Sequence, residues 1–333
     1  MRSLRAVPSV LAGAVLVFAV AVPAAPAAAD DHDGFTIKDP RIVESSGLAA
    51  SRAHPGIYWT HNDQDKGAYL YAVDSKTGET VATITMAGVG APRDVEAISI
   101  GSDGNIYVGD IGDNLNGTWK NVWIYKLPEP KQLKNQTVRA TQYVVKYADG
   151  ARDAEALMVH PKTGRIYIVS KNEDGGGLYE SPERMSASGT NVFKRVAEID
   201  LWVTDGAFSP DGKQLAVRGY FGGIWYAWQG DGKKPQRKGR LSVPLQRQGE
   251  SVTYTTDGTT LMYGTEGAQS DVEPVEAPGG GGGNGKSPSD NGGTARDGDD
   301  PFLNGSLKTG AIVVGAVLLA VFGLKRLGRR GRK

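Results

Sequence analysis

A chain of 333 residues, 39% hydrophobic and 23% charged, carries enough apolar side chains for one large folded domain or two average ones. Its net charge of +1 argues against a nucleic-acid binder, which would need a basic face to neutralise phosphates. It contains no cysteine, which excludes disulfides, thiolate nucleophiles and cysteine-ligated zinc and leaves the core alone to stabilise the fold.

The chain opens with Arg2 and Arg5, then an apolar run from Val10 to Val22, then the small-x-small pair Ala27 and Ala29. This order predicts a secretory signal peptide over residues 1–29, cut before Asp30. The protein is therefore expected outside the cytoplasm.

Residues 34–277 are built from a recurring unit. Its copies begin at Val43 (VESSGLAASRAHPGIYWTHNDQ), Arg93 (RDVEAISIGSDGNIYVGDIGDN), Arg152 (RDAEALMVHPKTGRIYIVSKNEDG), Val203 (VTDGAFSPDGKQLAVRGYFGG) and Gln248 (QGESVTYTTDGTTLMYGTEG). Each is a short apolar strand, a turn closed by glycine and a second strand rich in Tyr, Ile, Val or Leu. The turns SDG, KTG, PDG and TDG have hairpin chemistry. Two further strand-like runs follow in the first three units: AYLYAVD and ETVATITM, NVWIYKL and TVRATQYVVKY, GLYESPE and NVFKRVAEI. Four strands per unit, with units roughly 45–60 residues apart, is the spacing of β-propeller blades. The expected fold class is all-β, a propeller of five blades, or six if a divergent unit lies between 113 and 149 or after 266. The segment Gly34–Lys38 is an outer strand with no unit of its own, and it is expected to complete the last blade and close the ring.

A glycine-rich stretch, residues 278–306, cannot form a core and is expected to act as a flexible linker with a reach of roughly 30 Å. The apolar segment 307–327 follows, with Lys308, Lys325 and Arg326 at its ends, and predicts one C-terminal transmembrane helix. The basic tail 328–333 is assigned to the cytoplasm, which places the repeat domain outside the cell membrane on a single-pass anchor. Ser306–Gly310 keeps the Thr-Gly of a cell-wall sorting motif but lacks its Leu-Pro, which favours a plain membrane anchor.

The runs SSGLAASRAHPGIYWTHNDQDKGAYLYAVDSKTG and RDVEAISIGSDGNIYVGDIGDN resemble the secreted propellers called phytase-like (esterase-like activity of phytase), and are similar to the SdiA-regulated propellers. The likeness is good over about 44–175 and loose elsewhere. It implies a propeller fold and a phosphoester or ester hydrolase, in some members calcium-dependent.

Strand geometry places the glycine turns on one face of a propeller. The starts of the first strands and the loops after the second strands lie on the other. The second face collects Asp94 and Glu96, Asp153 and Glu155, Glu44, Glu250, and Thr204 or Asp205, the register of the fourth unit being uncertain by one. It also collects the loops His61–Asp65, Asp110–Asn114 and Lys171–Asp174. Innermost strands converge on a central channel, where like charges are unfavourable without a proton or a cation. Oxygen ligands suit Ca²⁺. Glu96, Glu155 and Glu250 are accordingly the candidate catalytic groups, and with Asp94, Asp153 and Asp110 the candidate ligands of a calcium ion. The alternative is structural: Arg41, Arg93, Arg152 and Arg247 stand one to three residues before these acids and would pair with them across blades. Asp63-x-Asp65-x-Gly67 resembles part of a calcium loop without its terminal Glu. His61 is read as an acid or base near the mouth, or as a surface hydrogen-bonding group, and the tryptophans as packing between blades. There is no G-x-S-x-G, H-E-x-x-H or phosphate-binding glycine motif. The expected function is binding of an unknown extracellular ligand through the acidic face, the alternative a phytase- or esterase-like hydrolase.

Overall fold

The computed structural model describes residues 33–63, 67–115 and 117–279. The predicted signal peptide, nearly all of the linker, the transmembrane helix and the tail lie outside the described residues. What is described is all-β, with no helix among those residues.

A two-residue strand, β1 (Phe35–Thr36), precedes the first unit, β2 (Ser45–Ala50), β3 (Ile57–Asn62), β4 (Tyr69–Asp74) and β5 (Thr80–Ala87). The second unit contains β6 (Val95–Ile100), β7 (Asn105–Asp110) and β8 (Val122–Pro128), followed by β9 (Gln136–Arg139) and β10 (Thr141–Tyr147). The third is β11 (Ala154–Val159), β12 (Ile166–Ser170), β13 (Gly176–Glu180) and β14 (Thr190–Ile199), and the fourth β15 (Val203–Phe208), β16 (Gln214–Gly219), β17 (Gly222–Ala227) and β18 (Gln236–Leu241). The last has β19 (Gly249–Tyr254), β20 (Thr260–Thr265) and β21 (Asp271–Glu276).

Within each unit the strands pair antiparallel in chain order, and β1 pairs antiparallel with β21, bringing the two ends of the described chain into one four-stranded sheet. The third strand of that unit, DVEPVE, was not foreseen: its exposed charges hide the alternation that marks a half-buried strand. The run 136–147 also differs from expectation. It breaks at Ala140. Its first part, β9, joins β5 of the preceding unit in parallel, and its second part, β10, pairs with β8. β10 also pairs in parallel with β14, which merges the second and third units at their outer edges into an eight-stranded sheet. Both parallel pairings cover strand edges that would otherwise template association.

The first strands of the units pack in cyclic order: β2 against β6, β6 against β11, β11 against β15, β15 against β19, and β19 against β2. The core lies between neighbouring sheets. Trp59, Leu70 and Ile84 pack on Ile98, Val108 and Tyr125. Tyr107 and Ile124 meet Leu157 and Phe193, and Met158 and Leu178 meet Val217 and Ile224. Ala216 and Leu241 meet Tyr254 and Tyr263, and Met262 and Val272 return to Phe35, Leu48 and Tyr71. Each fully buried Leu, Ile or Phe in these layers contributes about 1.5–3 kcal/mol. The architecture is consistent with a β-propeller. Side chains also join neighbouring units: Trp59 Nε1 and Ser51 Oγ both donate to the buried Glu129 beyond β8, at 2.9 and 2.5 Å. The glycine-closed turns form as expected; Gly212, at φ 73°, takes the left-handed position that other residues rarely adopt.

Candidate functional site

The inner strands begin with an irregularity in every unit. The register of each with its second strand slips between Ser45 and Leu48, Val95 and Ala97, Ala154 and Ala156, Val203 and Asp205, and Gly249 and Ser251. The residues within these bulges are Ser46 with Gly47, Glu96, Glu155, Thr204 and Glu250. A bulge turns one side chain out of the sheet's alternation. Repeated at the same point of five neighbouring strands, it aims three glutamates, a serine and a threonine at one end of the space the strands surround. This settles the fourth unit, where Thr204 takes the bulge. In the first unit Ser46, not Glu44, holds that place.

These groups are buried and feel one another. Glu96 is 4% exposed and accepts a hydrogen bond from Ser46 Oγ at 2.9 Å. Burial drives its carboxyl well above the ordinary range, and the charges of Asp63, Glu155 and Asp94 push the same way. Glu155 accepts from Lys171 Nζ at 2.5 Å, and the same ammonium lies 3.1 Å from Tyr220 Oη. Burial holds the Glu155 carboxyl above its usual range, against the pull of Lys171 and with Asp153 and Glu250 adding to the rise. Burial also pushes Glu250 up to about 7, while Lys171 and Arg218 pull it down.

Asp94 and Glu96 lie beside a third acid. Asp63, Asp94 and Glu96 each place a carboxylate oxygen within 4.8 Å of the other two. Asn114 Nδ2 donates to Asp94 at 3.1 Å and fixes its rotamer. Gly112 leaves the space in front of both acids open: a Cβ there would lie 2.7 Å from Asp94 Oδ2 and 2.7 Å from Glu96 Oε1. The donor set is entirely oxygen, which suits calcium better than zinc. Asp65, the other acid of the partial calcium-loop pattern, lies outside the described residues.

Other residues singled out in the sequence are placed elsewhere. Asp110 is fully buried at the end of β7 and braces its own unit, accepting from the amides of Arg93 and Asp94 at 3.0 Å each and from Tyr125 Oη at 2.5 Å. With its oxygens so occupied it does not join the three-acid group. Asp153 is half-buried and accepts the amide of Asp113 at 2.8 Å, which joins the second and third units. His61 is not at the surface. It is 1% exposed, its Nε2 has no partner, and burial pushes it down to about 4, so it is neutral at neutral pH.

The arginines do not pair with the inner acids. Arg93 stacks between Trp119 and Trp123, 4.0 and 3.7 Å from their ring centres. Arg152 pairs with Asp149 at 2.8 Å and stacks on Tyr179, and Arg41 pairs with Asp39 at 2.6 Å. The cations among the acids are two others. Lys171 follows β12. Arg218 is a fully buried arginine in β16 whose Nη1 donates to Ser251 O and Gly264 O at 2.8 and 3.1 Å. Arg218 had a signal in the sequence, as an arginine inside the apolar run QLAVRG. Asp205, the neighbour of Thr204, is also buried, and it accepts the amides of Gly206 and Val252 at 2.7 and 2.8 Å.

No protein-family model matches the chain, and no curated protein matches it. Among solved structures it is similar to Kuenenia stuttgartiensis hydrazine synthase, with 13% identity, a TM-score of 0.38, and coverage of 66% of this chain and 61% of that one. The chain thus spans about 61% of the length of that structure. A likeness this distant carries no argument, and the architecture rests on the strand pairings.

Proposed function

We propose that this chain is a five-bladed β-propeller displayed outside the cell on a C-terminal membrane anchor, and that it binds its extracellular ligand through the acidic end of its channel with Ca²⁺ held by Asp63, Asp94 and Glu96. The close approach of those three carboxylates in front of Gly112 carries the reading. Burying Glu96 beside other acids is costly unless a proton or a cation compensates, and a hard divalent ion with oxygen ligands does so. The cyclic packing of five first strands supports a count of five blades, and the signal-peptide and anchor patterns of the sequence support the address. Calorimetry of the full chain in detergent tests the site. Calcium is expected to bind with a clear heat that Glu96→Gln reduces at least tenfold in affinity; no calcium heat in the wild type would end the proposal.

A second reading, a phytase- or esterase-like hydrolase, draws support from Glu250, whose value near 7 suits proton transfer at neutral pH. Its test is a panel of phosphoester, ester and lactone substrates with and without calcium. Turnover abolished by Glu155→Gln favours the enzyme, and silence across the panel from a folded protein favours binding alone.

A further inference from the structure

The channel has a second end, and its chemistry is the reverse of the first. The last residues of the first strands, Ala50, Ile100, Val159, Phe208 and Tyr254, surround a cavity of about 220 Å³ on the face of the glycine turns. No carboxylate among the described residues lines it. The charged side chain in its wall is Arg52, which follows β2 in the turn to β3. Arg52 has no hydrogen bond or ion pair to another described residue, and Glu129 is the acid whose charge reaches it. Glu129 is itself engaged by Trp59 and Ser51. A guanidinium at a cavity mouth without a paired acid offers the planar, two-pronged donor set that matches a carboxylate.

The remaining wall defines the rest of the ligand. Ile98, Ile100, Val159 and Phe208 present apolar surface. Each first strand is bonded to a neighbouring strand on one side only, so the backbone N–H and C=O groups of its other edge face the axis. Some are taken within the protein, as where Ser99 Oγ accepts the amide of Val159 at 3.1 Å. Thr253 and Thr255 add hydroxyls to the wall. A cavity of roughly 150 Å³ accommodates a benzene ring, so this one has room for a ring and one small polar group but not for a sugar chain or a peptide. We infer that the turn-face end of the channel is a separate binding site for a small carboxylate with an apolar body, its anionic end held by Arg52 and its body against Ile98, Val159 and Phe208.

The test titrates benzoate, benzyl alcohol and benzylamine into the purified full chain by calorimetry. Benzoate is expected to bind one to one at millimolar concentration, benzyl alcohol at least tenfold more weakly, and benzylamine not at all. Arg52→Gln is expected to weaken benzoate at least tenfold, and Arg52→Lys, which keeps the charge but loses the two-pronged donor set, by a smaller factor. Circular dichroism confirms that both variants fold. Glu96→Gln is expected to leave benzoate affinity unchanged, which separates this site from the calcium reading at the opposite end. Absence of benzoate heat, equal affinity for benzoate and benzyl alcohol, or unchanged binding in Arg52→Gln would each overturn the inference.

Discussion

Glu250 permits a quantitative test of the charge imbalance in the channel. Its carboxyl is 6% exposed and accepts no hydrogen bond among the described residues, so nothing but the distant charges of Lys171 and Arg218 stabilises its ionised form. Burial therefore wins and raises it from 4.5 in the unfolded chain to about 7 in the fold. The sign follows from linkage. Below pH 4.5 the group is protonated in both states and costs nothing. As pH rises toward 7 the unfolded chain releases the proton and the folded chain keeps it. Folding stability therefore falls across that window and levels off above it. A tenfold change in proton affinity between the two states is worth about 1.4 kcal/mol, so the loss comes to about 3 kcal/mol at pH 8. Glu250→Gln keeps the shape of the protonated acid and removes the titration. The variant should match the wild type near pH 4.5 and exceed it by about 3 kcal/mol at pH 8, which moves the urea midpoint by about 1 M. The assay is urea unfolding followed by tryptophan fluorescence in a series of buffers containing EDTA, so that no divalent ion compensates. A midpoint difference that is the same at both pH values, or a variant weaker than the wild type at pH 8, would refute the placement of this carboxyl in a dry, acid-rich channel.

Two further outcomes follow from the same geometry. Gly112→Ala places a methyl 2.7 Å from an oxygen of both Asp94 and Glu96, so these side chains must move. Calcium affinity by calorimetry should fall at least tenfold, while the far-ultraviolet spectrum stays that of the wild type. Arg218→Met removes a fully buried cation and leaves the carbonyls of Ser251 and Gly264 without their donor. It should cost about 3–5 kcal/mol, read as a fall of about 10 °C in thermal midpoint.

The hairpins were readable because both halves of each pair are buried and apolar and the turn between them ends in a glycine that its conformation requires. The outer strands were less so. β18, QRKGRL, and β21, DVEPVE, are mostly exposed, and a strand with one edge and much of its surface in water need not alternate. The inner acids stood out by their recurrence three residues after an arginine in RDVEA, RDAEA and RQGES. What the pattern did not reveal is the bulge, because an extra residue in a strand alters pairing without altering composition. That is why Thr204 and Asp205 were indistinguishable in sequence, although one lies in the bulge and the other binds two amides. Lys171 and Arg218 were not recognised as counter-charges for a different reason. Lys171 reaches Glu155 only through the pairing of β11 with β12 in its own unit, and Arg218 feels Glu250 of the next unit through the packing of the sheets.

The position of the arginines decides between the explanations for the buried acids. Arg41, Arg93 and Arg152 precede the acidic strands closely enough to have neutralised them, yet Arg93 lies between two indoles and Arg41 and Arg152 pair with Asp39 and Asp149. The channel end therefore keeps Glu96, Glu155, Glu250 and Asp205 against Lys171 and Arg218, with Asp63, Asp94 and Asp153 close by. Lys171 is committed to Glu155 and Tyr220, and Arg218 donates to backbone carbonyls. The remaining negative charge has to be met by protons or by a cation from solution, and these compete for the same oxygens. Raising the pH strips the protons and strengthens the demand for the ion. Calcium affinity should therefore rise from pH 5 to pH 8, and calcium should restore most stability at the pH where the cation-free protein is weakest. A calcium affinity that does not change with pH would mean that the ion, if bound, sits away from these carboxylates.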